Sequence, residues 1–352
     1  MSKRSIGIAL CLPLWLCAMS LAAAEEEYEL KDGKWVPVAA PKKGTAEGEL
    51  ALIRQHVERG NGRRAAWAAG RFLKKYPDDP RREEVMSLGG QAEMIRGRYF
   101  KAYEWYDRQL TNYPNGQYAE RALERQFEIA QAFLAGKKRW VLGALPIPAR
   151  GDGLRILGRI AEHVPGSVLA EKALLRIADH HYQQKDYEDA APAYDHFLEM
   201  FGKSKQAPYA TLQAARATFA SFHGVRFDET PLLNAQQRFA VFRQRYPHEA
   251  RRANVTGILE RIHQLRAEKS YETGRFYERT RRKVPAKFYY RLVVQDYPGT
   301  TWSDKARQRL THLGEPVPGP GQDGPAEGPA ATTQPAEDTK PVPSPTTSEE
   351  KE

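Results

Sequence analysis

The stretch at residues 170–202, AEKALLRIADHHYQQKDYEDAAPAYDHFLEMFG, decides the fold of this chain. Its pattern predicts two short amphipathic helices joined by a tight polar turn. Ala178 is followed by Ala190 after twelve residues, then by Tyr194 and by a break at Gly202. The same intervals recur in two further sets, Gly90, Ala102, Tyr106 and Pro114, and Gly274, Ala286, Tyr290 and Pro298. Three copies of one small–small–tyrosine–breaker pattern indicate an array of helical repeats.

Close packing explains the intervals. Small residues allow the two helices of a repeat to approach where they cross, and the tyrosine fills the space beside the crossing. The proline or glycine then ends the second helix. A single helix pair cannot cover its own apolar face, so neighbouring pairs must stack. The pattern resembles the tetratricopeptide repeat, with a period of about 34 residues. We therefore predict an all-α, tetratricopeptide-type α-solenoid of about six helix pairs over residues 46–313.

The first 24 residues have the features of a secretory signal peptide. Lys3 and Arg4 precede an apolar run, and three small residues end at Ala24, where we expect cleavage. Both cysteines, Cys11 and Cys17, fall inside this segment, so the mature chain is expected to contain no disulfide. Neither cysteine follows the small residue that a lipid-attachment site needs.

Two further segments flank the predicted array. Residues 25–45 form an N-terminal arm and linker in which Asp32-Gly33 suits the turn of a small hairpin. Residues 314–352 are rich in Pro, Gly, Thr, Ser and Glu without apolar periodicity, which predicts a disordered acidic tail. Because residues 314–352 carry a net charge of −6 and residues 1–24 carry +2, the overall charge of +10 leaves +14 on residues 25–313.

The array itself contains interruptions. An apolar insertion at 139–148 is expected to be a loop or short turn that packs onto the array or, as the alternative, docks a partner. A second insertion lies at 223–231. Apolar residues at helical spacing predict one long helix from about 249 to 279. A closing helix is expected to begin near Trp302 and to end by Gly314.

The sequence offers little catalytic chemistry. His180 and His181 are adjacent on a helix, where side chains point about 100° apart, and no histidine lies four residues from either to share a metal ion. The motifs of phosphate loops, serine hydrolases and zinc proteases are absent. We therefore predict a protein that is not an enzyme and uses no cofactor or metal.

Basic pairs recur along the array and allow two interpretations. They can be solvated helix ends, or they can form a surface for anionic partners such as lipid head groups or acidic segments of envelope proteins. Nucleic acid is not an expected partner of a secreted chain. The pairs and runs are Arg63-Arg64, Lys74-Lys75, Arg81-Arg82, Lys137-Lys138-Arg139, Arg251-Arg252 and Arg281-Arg282-Lys283.

Solenoids of this class bind extended segments along the wall formed by their first helices. The repeat register therefore predicts a partner-binding groove from three first helices, although the apolar members can equally pack between repeats. The predicted residues are Leu50, Arg54 and Val57, then Ser87, Gln91 and Met94, and finally Leu175, Asp179 and Tyr182.

The last repeat carries a more specific resemblance. The segments AEKSYETGRFY (267–277), AKFYYRLVVQDYPGT (286–300) and NYPNGQYA (112–119) are similar to the BamD family. The resemblance implies a periplasmic scaffold at the inner face of the outer membrane. Such a scaffold binds the β-barrel insertase and its unfolded substrates.

Two other functions fit the same residues. One is a periplasmic adaptor for cell-wall or cell-division proteins, although the arm at 25–45 is too short for the coiled coil that such adaptors carry. The other is an exported protein that binds a polysaccharide or a lipid.

Overall fold

The computed structural model describes residues 28–31, 34–37, 42, 44–141 and 145–316. The predicted signal peptide, the Asp32-Gly33 turn and the tail beyond residue 316 lie outside the described residues. The described chain is helical except for two short hairpins and the connecting turns.

Fourteen helices and four strands occupy these ranges. In chain order they are β1 (Tyr28–Lys31), β2 (Lys34–Pro37), α1 (Ala46–Glu58), α2 (Gly62–Lys75), α3 (Arg82–Ile95), α4 (Tyr99–Asn112), α5 (Ala119–Leu134), β3 (Lys138–Val141), β4 (Leu145–Pro148), α6 (Arg150–His163), α7 (Val168–Gln184), α8 (Tyr187–Phe201), α9 (Ala207–Ala220), α10 (Thr230–Arg245), α11 (Pro247–Arg252), α12 (Val255–Arg279), α13 (Lys283–Asp296) and α14 (Thr301–His312). The helices pair as α1/α2, α3/α4, α5/α6, α7/α8, α9/α10 and α12/α13. The tetratricopeptide-type fold with six helix pairs is therefore confirmed.

The chain divides into two compact units at the boundary between Tyr118 and Ala119. The first unit contains β1, β2 and α1–α4, with α2 packed against α3. In the second unit the pairs stack in sequence from α5 onward, and α14 packs against both α12 and α13 as the predicted closing helix. β1 and β2 pair antiparallel, with Lys31 opposite Lys34, as expected for a two-residue turn.

In the pairs α3/α4 and α12/α13, a glycine of the first helix marks a close approach between the two helices. A methyl group added to Gly90 would lie 2.6 Å from the ring of Tyr106. One added to Gly274 would lie 2.8 Å from the ring of Tyr290. Both rings are fully buried. The tyrosine ring therefore occupies the space that a larger residue would need.

The register of the second helices extends to all six pairs. A small residue is followed after four positions by a core residue and after a further eight by the helix-ending residue. The sets are Ala65, Ala69 and Pro77; Ala102, Tyr106 and Pro114; Gly153, Leu157 and Pro165; Ala190, Tyr194 and Gly202; Ala235, Phe239 and Pro247; and Ala286, Tyr290 and Pro298. The first two members of each set are buried. The interval is thus kept even where an aromatic ring is absent.

Proline sets the end of five of these helices. The ring of a proline clashes with α-helical backbone at the residue before it. Accordingly, the preceding residues leave the helix with φ between −136° and −123°. They are Tyr76, Tyr113, Val164, Tyr246 and Tyr297.

The insertion at 139–148 differs from the prediction of a loop or short turn. Its flanks form the antiparallel strands β3 and β4, with Arg139 opposite Ile147 and Trp140 opposite Pro146. Trp, Val and Ile favour extended backbone, and a two-stranded ribbon has free edges where a proline removes no ladder bond. The insertion is therefore a short β-hairpin within the all-α repeat fold.

The predicted helix at 249–279 is also interrupted. Residues 247–252 form the short helix α11, and α12 begins only at Val255. Asn254 adopts the left-handed conformation at φ 49°, and its side chain accepts a hydrogen bond from the backbone N–H of Gly257. Asparagine tolerates this conformation and caps helix N-termini, which explains the break.

The close approach in the last pair predicts opposite effects for two glycines. Gly274→Ala should destabilise the protein by about 1–3 kcal/mol, because the buried ring of Tyr290 cannot move away. Gly158→Ala, in helix α6 with no heavy atom within 4 Å of the added carbon, should stabilise it by about 0.5–1 kcal/mol. Urea unfolding midpoints measure both effects. Equal stability of the two variants would contradict the packing described above.

Candidate functional site

The nine residues of the predicted groove differ in exposure. Leu50, Val57 and Ser87 are buried, so they serve the core of the first unit. The other six retain exposed surface; they are Arg54, Gln91, Met94, Leu175, Asp179 and Tyr182. All nine occupy three positions relative to the helix crossing, namely three residues before it, one after it and four after it. We call these positions the first-helix face.

In the first unit, the first-helix face carries an ion pair between Arg54 on α1 and Glu84 on α3. The guanidinium of Arg54 donates two hydrogen bonds to the carboxylate of Glu84, with N–O distances of 2.6 and 2.8 Å. The hydroxyl of Tyr106 lies 3.8 Å from the sulfur of Met94. Glu84, which the predicted groove did not include, therefore holds Arg54 in a fixed position.

In the second unit the face centres on the carboxylate of Asp179. Its Oδ1 accepts a hydrogen bond from the hydroxyl of Tyr194 at 2.7 Å and another from Tyr209 at 2.9 Å. Tyr194 is buried on α8, whereas Tyr209 on α9 keeps 40% of its surface exposed. Three successive helices thus fix one acidic group.

Aromatic rings surround this carboxylate. The ring centroid of Tyr182 lies 5.5 Å from that of Tyr187 and 6.5 Å from that of Tyr194, and Tyr194 lies 6.4 Å from Tyr209. We refer to Asp179, Tyr182, Tyr187, Tyr194 and Tyr209 as the tyrosine–aspartate cluster. It offers partly exposed aromatic surface next to a negative charge.

Burial keeps the phenols of Tyr182, Tyr194 and Tyr209 protonated, because it raises the pKa of each. Burial, and then the hydrogen bond to Asp179, raise the pKa of Tyr194 far above its ordinary value. Burial likewise raises the pKa of Tyr182 and of Tyr209. A carboxylate beside tyrosine faces attracts cationic and aromatic side chains.

The sequence predicted two members of the cluster and missed three. The tyrosine four residues after each crossing was assigned to the core, and burial of Tyr194 agrees with that assignment. Tyr209 follows Pro208 in the first turn of α9, outside the repeat register. No local spacing signals that its hydroxyl reaches Asp179.

A second charged cluster lies on the first-helix face of the last pair. Glu278, four residues after the crossing, accepts a hydrogen bond from the hydroxyl of Tyr290 at 2.7 Å and two from the guanidinium of Arg309 on α14. Together with Tyr271, Arg275 and other neighbours it lines a cavity of about 490 Å³. The closing helix is thereby tied to the last pair.

The histidine pair, His180 and His181, lies on α7. His180 is buried on α7, and burial, followed by the charge of Arg176, lowers the pKa of its imidazole. Within the ranges that the structure describes, no three His, Cys, Asp or Glu side chains are grouped to hold a metal ion. The same ranges hold no helix long and apolar enough to cross a bilayer.

Comparison with known proteins agrees with the repeat class. The model of the YfiO family, described as an outer membrane lipoprotein, matches residues 152–314, a little under half of the chain. An uncharacterized protein of Treponema pallidum (strain Nichols) is 34% identical over 103 residues, which cover 28% of this chain. The chain spans only about a fifth of that relative, since the match covers 20% of it.

Two solved structures of repeat proteins are similar to this chain at low identity and low TM-score. A tetratricopeptide repeat protein from Parabacteroides merdae is 13% identical, with a TM-score of 0.32 and coverage of 77% of this chain and 99% of that chain. The C-terminal part of a repeat-containing protein from Cytophaga hutchinsonii is 13% identical, with a TM-score of 0.34 and coverage of 75% and 88%. The fold class stands on the six helix pairs described above.

The pair formed by Glu278 and Arg309 predicts a pH dependence of stability. Burial alone would raise the pKa of Glu278, but the hydrogen bonds from Arg309 and Tyr290 outweigh it and lower the pKa below the ordinary value of 4.5. As the pH falls, the unfolded chain therefore binds a proton first, and the native state loses stability. The contribution is fully present above pH 4.5 and is lost as the pH falls through the lower native pKa.

Glu278→Gln should lack this contribution. Melting temperatures of the native protein and of the variant should differ by a constant amount near neutral pH. The difference should then narrow below pH 4.5. A difference that widens in acid would show that the carboxylate is not stabilised by its partners.

Proposed function

We propose that this protein is a non-enzymatic scaffold of the bacterial cell envelope that binds partner proteins in outer-membrane β-barrel assembly. The match of residues 152–314 to the YfiO family of outer membrane lipoproteins carries the proposal. The matched range includes the tyrosine–aspartate cluster and the last helix pair. Catalysis is not part of the proposed role, and the carboxylates of both charged clusters are engaged by neighbouring tyrosine and arginine side chains.

The proposed binding site is the exposed part of the tyrosine–aspartate cluster. Tyrosine is enriched in protein interfaces because it offers a large contact area with few rotatable bonds. Asp179 is already held by Tyr194 and Tyr209, so binding would not require ordering it. We propose that an extended partner segment places a lysine, arginine or aromatic side chain over this cluster.

The remaining predictions about the groove and the chain follow from the same role. Leu175, on the same face, would extend the contact along α7, and Arg54, Gln91 and Met94 would form a separate contact in the first unit. We propose a location in the periplasm, at the inner face of the outer membrane, after removal of residues 1–24. In the proposed division of the chain, residues 25–45 are an arm, 46–313 the repeat array and 314–352 a disordered tail.

Partner identity distinguishes this role from its main alternative, an adaptor for cell-wall or cell-division proteins. A photo-crosslinking residue in place of Tyr182 should capture the β-barrel insertase or its unfolded substrates in intact cells. The same residue in place of the exposed Glu199 on α8 is the control. Capture of a peptidoglycan enzyme at Tyr182 would instead favour the adaptor, and identical products at both positions would exclude a specific site.

A charge change at the centre of the cluster should weaken partner binding. Asp179→Lys places a cation among the tyrosines and should reduce recovery of the crosslinked partner at least tenfold, which corresponds to about 1.4 kcal/mol. Glu199→Lys makes the same charge change at a side chain that is 75% exposed and should leave recovery unchanged. Melting temperatures of both variants control for folding. Full recovery with Asp179→Lys would overturn the proposed site.

A further inference from the structure

The turn between α12 and α13 combines two kinds of exposed side chain. Residues 279–284 are all exposed and supply four cations, Arg279, Arg281, Arg282 and Lys283. Two large apolar residues flank the same turn, Phe276 at 52% exposure and Val284 at 76%. We call this surface the α12–α13 tip; it consists of Phe276, Arg279, Arg281, Arg282, Lys283 and Val284.

The nearby acidic groups are already engaged elsewhere. Glu278 is bound to Arg309, Glu272 pairs with Arg275 at 3.0 Å, and Glu315 pairs with Lys287 at 2.7 Å. Among the described residues, no ion pair involves any of the four cations of the tip. The tip therefore presents positive charge that no acidic group in the described part of the chain neutralises.

The backbone at the tip holds Arg281 in a conformation that glycine usually adopts. The N–H of Arg281 bonds to the carbonyl of Glu278 and that of Arg282 to the carbonyl of Tyr277, which forms a Schellman motif with Arg281 in the left-handed conformation at φ 62°. Three other first helices, α1, α3 and α5, have a glycine at the corresponding position after their C-terminal end. These glycines are Gly60, Gly97 and Gly136. An arginine is strained there, as is Lys185 at the corresponding position of α7.

We infer that the α12–α13 tip docks on the surface of a bilayer that contains anionic lipids. Cations near such a surface interact with lipid phosphates, and exposed Phe and Val side chains can enter the boundary between head groups and acyl chains. An acidic protein segment would explain the charge but would not require two exposed apolar residues beside it. The inference is independent of the partner site at Asp179, because it rests on different residues and a different ligand.

Vesicle flotation with the full chain tests the inference. The protein should bind vesicles of phosphatidylcholine mixed with phosphatidylglycerol, should bind pure phosphatidylcholine far less, and should lose binding in high salt. Each cation contributes about a fivefold effect near an anionic surface. Replacing Arg279, Arg282 and Lys283 together with Gln should therefore weaken binding by roughly a hundredfold. Val284→Ser should weaken binding to anionic vesicles several-fold without changing its salt dependence.

The strained arginine supplies a variant in which loss of folding cannot explain loss of binding. Arg281→Gly should raise the melting temperature by a few degrees, because glycine adopts this conformation freely, while it weakens vesicle binding about fivefold. Lys185 occupies the same position at the end of α7, with φ 67°, and is the matched control. Lys185→Gly should raise the melting temperature similarly and leave vesicle binding unchanged.

Three outcomes would overturn the inference. They are equal binding to charged and uncharged vesicles, unchanged binding by Arg281→Gly, and an equal loss with Lys185→Gly. Capture of an acidic protein by the tip without vesicle binding would assign the surface to a protein partner instead.

Discussion

The close approach of the two helices at each crossing, where the second helix carries a buried small residue, is the constraint on which the rest of the structure depends. At Gly90 and Gly274 a single added carbon would overlap the ring of the following helix. The distance and angle within a pair are therefore fixed locally by side-chain volume. Stacking of such pairs repeats the same geometry along each unit, and each pair still needs its neighbours to cover its remaining apolar surface.

The acidic residues of the two charged clusters take their positions from this crossing. Asp179 lies one residue after it and Glu278 four residues after it, so both project onto the first-helix face. The same buried tyrosines that fill the crossing also reach these acids, since Tyr194 donates to Asp179 and Tyr290 donates to Glu278. The contact that holds the pair together thus also holds the acidic group in place for a partner or a closing helix.

Local chemistry explains what the sequence predicted correctly. The six pairs, the closing helix and the strands of the first hairpin follow from fixed intervals, X-Pro helix ends and an Asp-Gly turn, each of which acts within a few residues. The strands at 138–148 and the break at Asn254 were missed because short apolar runs fit either structure, and a left-handed cap depends on one residue. Burial of Leu50 and contact of Tyr209 with Asp179 depend on neighbouring helices, which no local interval encodes.

The melting temperature of Ala190→Arg tests the crossing most directly. Ala190 is fully buried between α7 and α8, in the same cluster as Ala178 and Tyr194. A long charged side chain there should cost several kcal/mol, on the order of 3–5, and should lower the melting temperature by many degrees. Glu199→Arg on the exposed surface of α8 should have little effect. An Ala190→Arg protein that melts like the native protein would contradict the repeat register that defines the helix pairs and the first-helix face.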